Sequence, residues 1–281
     1  MSNSFDTKEL IFEAAKTVAK EGYDDALKPF AKELGKTLDT AGKTVNALLF
    51  PLRNMVYKVS LIEEKLEKDL EEKLINVPAE KRITPPPYIA VPALEAMRYT
   101  FGNIELRNLF TNLLASSMNT DTVAYVHPSF IEIVKQLSPL DAKIFKEFEP
   151  TSQSKKSHPI CKLKFEEQTK TENLGLIKVG ESFTVYSHLV NLKNISASPD
   201  FVSSCLQNLE RLGLIEISYT HYSSNSDDYK AFDTHPVFEE AREVYKPYKE
   251  QERYKNHELR LEKGLIHITS FGRMFASTCI E

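Results

Sequence analysis

Two stretches near the end of the chain decide the fold reading: Ser198–Ile217, SPDFVSSCLQNLERLGLIEI, and Lys263–Cys279, KGLIHITSFGRMFASTC. In the first, Phe201, Val202, Cys205, Leu206, Leu209 and Leu212 recur at helical spacing and form one apolar face. Ser198 stands where a cap belongs, with Pro199 at the first helical position. Gly213 permits a sharp exit, and Leu214-Ile215 begins a strand. In the second stretch, Leu265, Ile266 and Ile268 supply a returning strand, and Thr269-x-x-Gly272 opens a closing helix over 270–279. Helix, strand, long wing, strand and helix together read as the second half of a winged helix, preferred over a generic helix–hairpin–helix module.

Working outward, residues 220–262 form the wing insertion, polar and irregular at first and helical across Pro236–Asn256. Ile160–Phe165 and Ser182–Tyr186 alternate in the manner of strands. Upstream the pattern is helical. Residues 6–22 form a first helix, and Leu27, Phe30, Leu34, Leu38, Val45 and Leu48 share a face of a long stretch over 24–77 that Pro51 kinks or breaks. The charge run at Glu63–Lys73 is the solvated side of an amphipathic helix, opposite Leu66, Leu70 and Leu74. TPPPY at 84–88 must be extended, and Pro92 suits the first turn of a new helix. Asn103 caps the next helix, Pro128 begins another, and Ser138-Pro139 starts a fourth with Asp141 in its first turn, where its charge favours the helix dipole. The expected fold class is therefore mainly α with a small β component (α+β). A helical bundle over 1–149 precedes a winged-helix-like domain over 150–281.

Composition narrows the functions. The net charge is −4, with 19 Lys and Arg against 22 Asp and Glu in residues 1–150 and 17 against 18 in 151–281. Neither half has the basic excess of a strong nucleic-acid binder. The candidate recognition helix carries Asp200, Glu210 and Arg211, with Ser203, Ser204, Gln207 and Asn208 as its other outward side chains. A groove-reading helix normally adds cations for phosphates and base edges. The best basic patch is Lys246–Lys263, with Lys246 and Lys249, but Glu250, Glu252, Glu258 and Glu262 are mixed into it. Ser203, Ser204, Gln207, Asn208, Arg211, Lys246 and Lys249 are the candidate contacts for a partner or for nucleic acid.

Cys161, Cys205 and Cys279 are too few and too far apart for a disulfide framework or a zinc site, and reduced thiols are the expectation. The seven histidines show no metal-ligand spacing. No phosphate-cradling glycine loop or nucleophile elbow occurs, so neither catalytic, cofactor nor metal residues are expected. Val45–Ile62 is the most apolar stretch, but Arg53 and Lys58 interrupt it. Leu48, Leu49, Phe50 and Leu52 would form either a membrane-surface face or, as preferred, an assembly face packed within a bundle.

The phrases YDDALKPFAKELGKTLDTAGKTVNALLFPL (Tyr23–Leu52), IEEKLEKDLEEKLINVPAEKRITPPPYIAVPALEAMRYT (Ile62–Thr100), LRNLFTNLLASSMN (Leu106–Asn119) and VHPSFIEIVKQLSPLDAKIF (Val126–Phe145) resemble the bacterial Abi-alpha family. The resemblance covers roughly residues 23–220, and its most specific parts are the proline run and the H-P-S-F segment followed by QLSP. It implies abortive infection, in which an infected bacterium stops growing or dies before phage are released, and it supplies no catalytic residues. The leading expectation is a non-enzymatic cytoplasmic protein acting in phage defence through contacts with a protein partner or itself. The alternatives are a winged-helix DNA-binding regulator and a membrane-surface effector. No small-molecule substrate is evident, and no signal peptide is visible.

Overall fold

The computed structural model describes residues 65–148, 157–171 and 175–280. The expected helix at 6–22, the stretch before residue 65 and the apolar face at Leu48, Leu49, Phe50 and Leu52 lie outside the described residues. The fold is α+β. The chain divides into two compact units, Met1–Gln136 with Met274–Glu281, and Leu137–Arg273.

The first unit is helical. Helix α1 (65–74) buries Leu66, Leu70 and Leu74 and leaves Glu71, Glu72 and Lys73 exposed, as the charge run predicts. Asp69, on its flank, approaches Arg107 of α3 (Ile104–Ser117) at 3.5 Å. Helix α2 (Pro87–Thr100) starts earlier than Pro92 predicts. Pro86 is extended at its cap and Pro87 takes the first helical position, so the third proline of the run opens the helix instead of prolonging the extended segment. Pro92 falls inside the helix and removes the N–H that would reach the carbonyl of Tyr88, an exposed residue whose backbone can turn to water. Asn103 caps α3 by accepting from the Leu106 amide at 3.1 Å. Met97, Phe110, Leu113, Leu114, Phe130 of α4 (Ser129–Gln136) and Phe275 are fully buried. Phe130 and Phe275 meet edge to face, centroids 5.5 Å apart. Phe275 belongs to the last helix, α9 (Ser270–Cys279). The buried Asn112 donates to the Cys279 carbonyl at 2.8 Å, and Ser116 donates to that of Thr278 at 3.0 Å, satisfying carbonyls that a helix end leaves open.

The second unit begins with α5 (Pro139–Glu147), closed by a capping box: the Ser138 hydroxyl accepts from the Asp141 amide at 3.1 Å, and the Asp141 carboxylate accepts from the Ser138 amide at 2.7 Å. Strands β1 (His158–Thr171) and β2 (Gly175–Leu189) follow as a long antiparallel hairpin. Helix α6 (Pro199–Arg211) and strand β3 (Ile215–Ser218) come next. The insertion then folds as α7 (Lys230–Asp233) and α8 (Pro236–Lys249) before β4 (His257–Ile268) returns. The strand order is β2-β1-β4-β3.

Alternation on the sheet sorts its two faces. Cys161, Leu163, Leu189, Leu259 and Leu261 pack with Tyr229, Phe232, Val237, Phe238 and Ala241 from the insertion. On the opposite face Lys162 and Lys164 reach Glu262 at 3.6 and 2.8 Å. Both strands of the hairpin outrun the expected Ile160–Phe165 and Ser182–Tyr186. Pairing continues through polar positions such as Gln168 opposite Lys178, where apolar alternation gives no signal. Helix α8 is shorter than the helical stretch expected over Pro236–Asn256 and closes just after Pro247.

Candidate functional site

The Ser198–Ile217 stretch folds as its sequence dictates. Ser198 accepts from the Phe201 amide at 3.4 Å, and α6 buries Val202, Cys205, Leu206 and Leu209. Gly213 adopts φ 73°, the left-handed conformation that a glycine takes without Cβ strain. Around it the Leu214 amide bonds to the Leu209 carbonyl at 3.0 Å and the Gly213 amide to that of Glu210 at 2.9 Å, a Schellman closure. Thr269 then locks the returning strand to this turn. Its hydroxyl donates to the Gly213 carbonyl at 2.6 Å and accepts from the Gly272 amide at 2.8 Å. A Cβ on Gly272 would collide with the Leu214 carbonyl. The Thr-x-x-Gly pattern is thus a cap followed by a site of close backbone approach.

The candidate contact residues have mixed fates. Ser204 and Gln207 are exposed and Ser203 is half-buried, with the Ser204 hydroxyl bonded back to the Asp200 carbonyl at 3.0 Å. Asn208 is structural: its amide donates to the buried Asp141 carboxylate at 3.0 Å, tying α6 to α5. Its carbonyl holds the Arg211 guanidinium, from Nη2 at 2.7 Å and Nε at 3.2 Å. Lys246 is exposed, and Lys249 pairs with Glu258 at 2.7 Å. Phe201 departs from the expected apolar face: it falls in the first turn of α6 on the side away from Val202, Cys205, Leu206 and Leu209 and stands 68% exposed.

A cavity of about 340 Å³ opens where β2 ends and α6 and α8 begin. It is lined by apolar side chains, among them Ile195 and Val202, and by His188, His235, Asn191 and Glu240. Both imidazoles are held through Nδ1. That of His188 lies 2.9 Å from the Tyr219 hydroxyl, which donates to the Ser187 carbonyl at 2.7 Å. That of His235 accepts from the Val237 amide at 3.3 Å and so caps α8. Burial lowers the pKa of His188, with Glu210 opposing and Lys162 assisting, and burial lowers that of His235. Sequence reasoning missed both, because an isolated histidine in a strand and another before a proline carry no spacing signal.

With this geometry in place, the comparison with known families is decisive: the family model described as Abortive infection alpha matches residues 58–279. The chain belongs to that family. The match starts later than the resemblance over 23–220 and runs further, so the segment between β3 and β4 and the last helix, α9, are inside the Abortive infection alpha region. At the level of the family, the biological setting is abortive infection. No curated protein and no solved structure matches the chain.

Further buried chemistry lies within the Abortive infection alpha region. Cys161, Cys205 and Cys279 are free and buried. Burial, with Asp233 adding to it and Lys263 opposing, pushes the Cys161 thiol up to about 12. Burial and then Asp141 push Cys205 up to about 12, and burial raises Cys279. Thiols so protonated are poor nucleophiles at neutral pH. His257 is buried at the start of β4 beside Phe165 and Tyr254, each 5.1 Å away between centroids, and among the described residues neither ring nitrogen has a hydrogen-bond partner. Among the described residues no His, Cys, Asp and Glu cluster has the geometry to hold a metal ion, and no helix is long and apolar enough to cross a membrane.

Proposed function

We propose that this member of the Abortive infection alpha family serves phage defence through protein–protein contacts, without catalysis, and that its α6–β3–β4–α9 segment is a winged-helix-like module adapted to a protein partner. The observation that carries the reading is the outward side of α6, where Phe201 in the first turn is exposed and the guanidinium of Arg211 is folded back onto Asn208. An exposed aromatic side chain suits the centre of a protein interface. It is a poor match to a phosphate backbone, which requires free cations.

The test replaces Phe201 with Asp in the full chain and measures phage protection in cells alongside partner capture by the purified protein. Protection and capture should both be lost while the melting temperature is retained. Undiminished protection would overturn the reading. Anisotropy titration on duplex DNA at low salt covers the competing role, because saturable binding that falls steeply with salt would mark a DNA regulator instead.

A further inference from the structure

The sheet ends at β3, which pairs with β4 on one side and, among the described residues, with no strand on the other. The residues of an antiparallel strand point their N–H and C=O groups to alternate sides. The Leu214 carbonyl accepts from the Thr269 amide at 3.1 Å, so the backbone groups of Leu214, Glu216 and Ser218 serve β4 and those of Ile215 and Ile217 point outward. The Ile217 amide agrees with this alternation: it donates to the Glu210 carboxylate at 2.9 Å and not to β4. Glu210 is exposed in the last turn of α6, and its oxygen takes the place that the carbonyl of a further strand would take. A side chain that occupies an edge in this way keeps the edge from pairing indiscriminately.

An edge that is complete on the inside and closed on the outside by one side chain suits an extended segment, whose backbone supplies affinity and whose side chains set specificity. Charge selects the occupant. Glu216 is exposed and makes no ion pair among the described residues, and residues 212–221 hold no Lys or Arg. A second copy fits poorly. Setting Ile215 opposite Ile217 of another β3 brings Glu216 against Glu216, and like charges directly opposite repel. We infer that the outer edge of β3 receives a basic extended segment of a protein partner, which adds to the sheet, sets a Lys or Arg opposite Glu216 and takes the Ile217 amide from Glu210. Glu210 is then a guard, satisfying the edge while it is empty and giving way to a strand of matching charge. Phe201 is in the first turn of α6 and Glu210 in its last, so this edge stands or falls separately from the contact assigned to Phe201.

The experiment titrates the isotope-labelled full chain with the capped peptide Lys-Val-Lys-Val-Lys-Val, followed by nuclear magnetic resonance, with Glu-Val-Glu-Val-Glu-Val as the charge-reversed control. The basic peptide should bind saturably and move the Ile215 and Ile217 amide signals, and the acidic one should not. The basic peptide N-methylated along its backbone keeps its charge, loses its donors and should bind about tenfold more weakly. Glu210→Ala separates a guard from simple attraction. It removes a negative charge but vacates the Ile217 amide, so binding should tighten by about threefold to tenfold. Ile217→Pro removes that amide at an edge position, where proline is tolerated, and should abolish binding. Ile215 and Ile217 signals that stay in place at millimolar basic peptide would overturn the proposal. So would equal affinity for the N-methylated peptide, or weaker binding by Glu210→Ala, either of which would reduce the contact to charge attraction alone.

Discussion

The two compact units divide the labour of burial differently. The helical unit hides Met97, Phe110, Phe130, Phe275 and one thiol, Cys279; its buried Asn112 and Ser117 donate to helix carbonyls, while among the described residues Asn112 Oδ1 has no partner. The sheet unit hides two thiols, a carboxylate at Asp141, the unpartnered imidazole of His257 and a cavity with two more imidazoles at its walls. Polar groups taken out of water without full compensation cost stability, and among the described residues the sheet unit holds more of them. The contrast directs functional reading toward residues 137–273.

That comparison breaks first at its apolar end. Phe275→Ala should destabilise the helical unit by about 3–5 kcal/mol, since it deletes a fully buried ring and its edge contact with Phe130. Denaturant unfolding followed by far-ultraviolet circular dichroism measures it, and a change below about 1 kcal/mol would mean that this core is loosely packed. The next effect belongs to the sheet unit. Gly272→Ala drives a methyl group into the Leu214 backbone and should cost about 1–3 kcal/mol, although alanine is the better helix former. A stabilised Gly272→Ala variant would remove close approach as the reason for the Thr-x-x-Gly pattern.

Much of the helical unit was legible because long amphipathic repeats and caps report themselves locally: Leu66, Leu70 and Leu74 mark a face, and Asn103 and Ser138 mark starts. The same holds for α6 and its Gly213 exit. Pro92 misled because proline position is a local rule, and the run had a better candidate for the first helical turn in Pro87. The length of the β1–β2 hairpin was hidden because the outer part of β1, Gln168 to Thr171, is polar throughout, so alternation carries no contrast there. The cavity was hidden for a deeper reason. His188 and His235 are far apart in sequence, and only the closure of β2 against the starts of α6 and α8 brings them together. Asn208 shows the converse error: read as an outward contact, it is a tie between two helices.

Asn208→Ala is accordingly a test of structure, not of recognition. It removes a bond to the buried Asp141 carboxylate and should destabilise the sheet unit by about 1.5–3 kcal/mol, the range for hydrogen bonds to charged groups. It also removes the carbonyl that accepts from Arg211 Nη2 and Nε. If Asn208→Ala leaves stability unchanged while weakening partner capture, Asn208 belongs to the interface after all.

The smallest expected effect is a pH dependence confined to the sheet unit. His188 and His235 titrate below the usual 6.5 in the folded chain, both because burial penalises the imidazolium. Above pH 6.5 the two rings are neutral whether the chain is folded or not, and they add no slope. As pH falls below 6.5 the unfolded chain takes up protons that the folded one resists, so stability declines, and the decline ends once the folded rings protonate too. Glu262 adds a second, more acidic window. Burial alone would raise its pKa, but Lys164 and Lys162 outweigh that and hold it below the usual carboxylate value, so its contribution is present at neutral pH and is lost as pH falls through its folded pKa. Unfolding curves at a series of pH values separate the two, because His188→Gln should flatten the slope just below pH 6.5 and leave the acidic limb intact. A His188→Gln protein with an unaltered slope would place the proton uptake elsewhere, with His235 the first residue to replace.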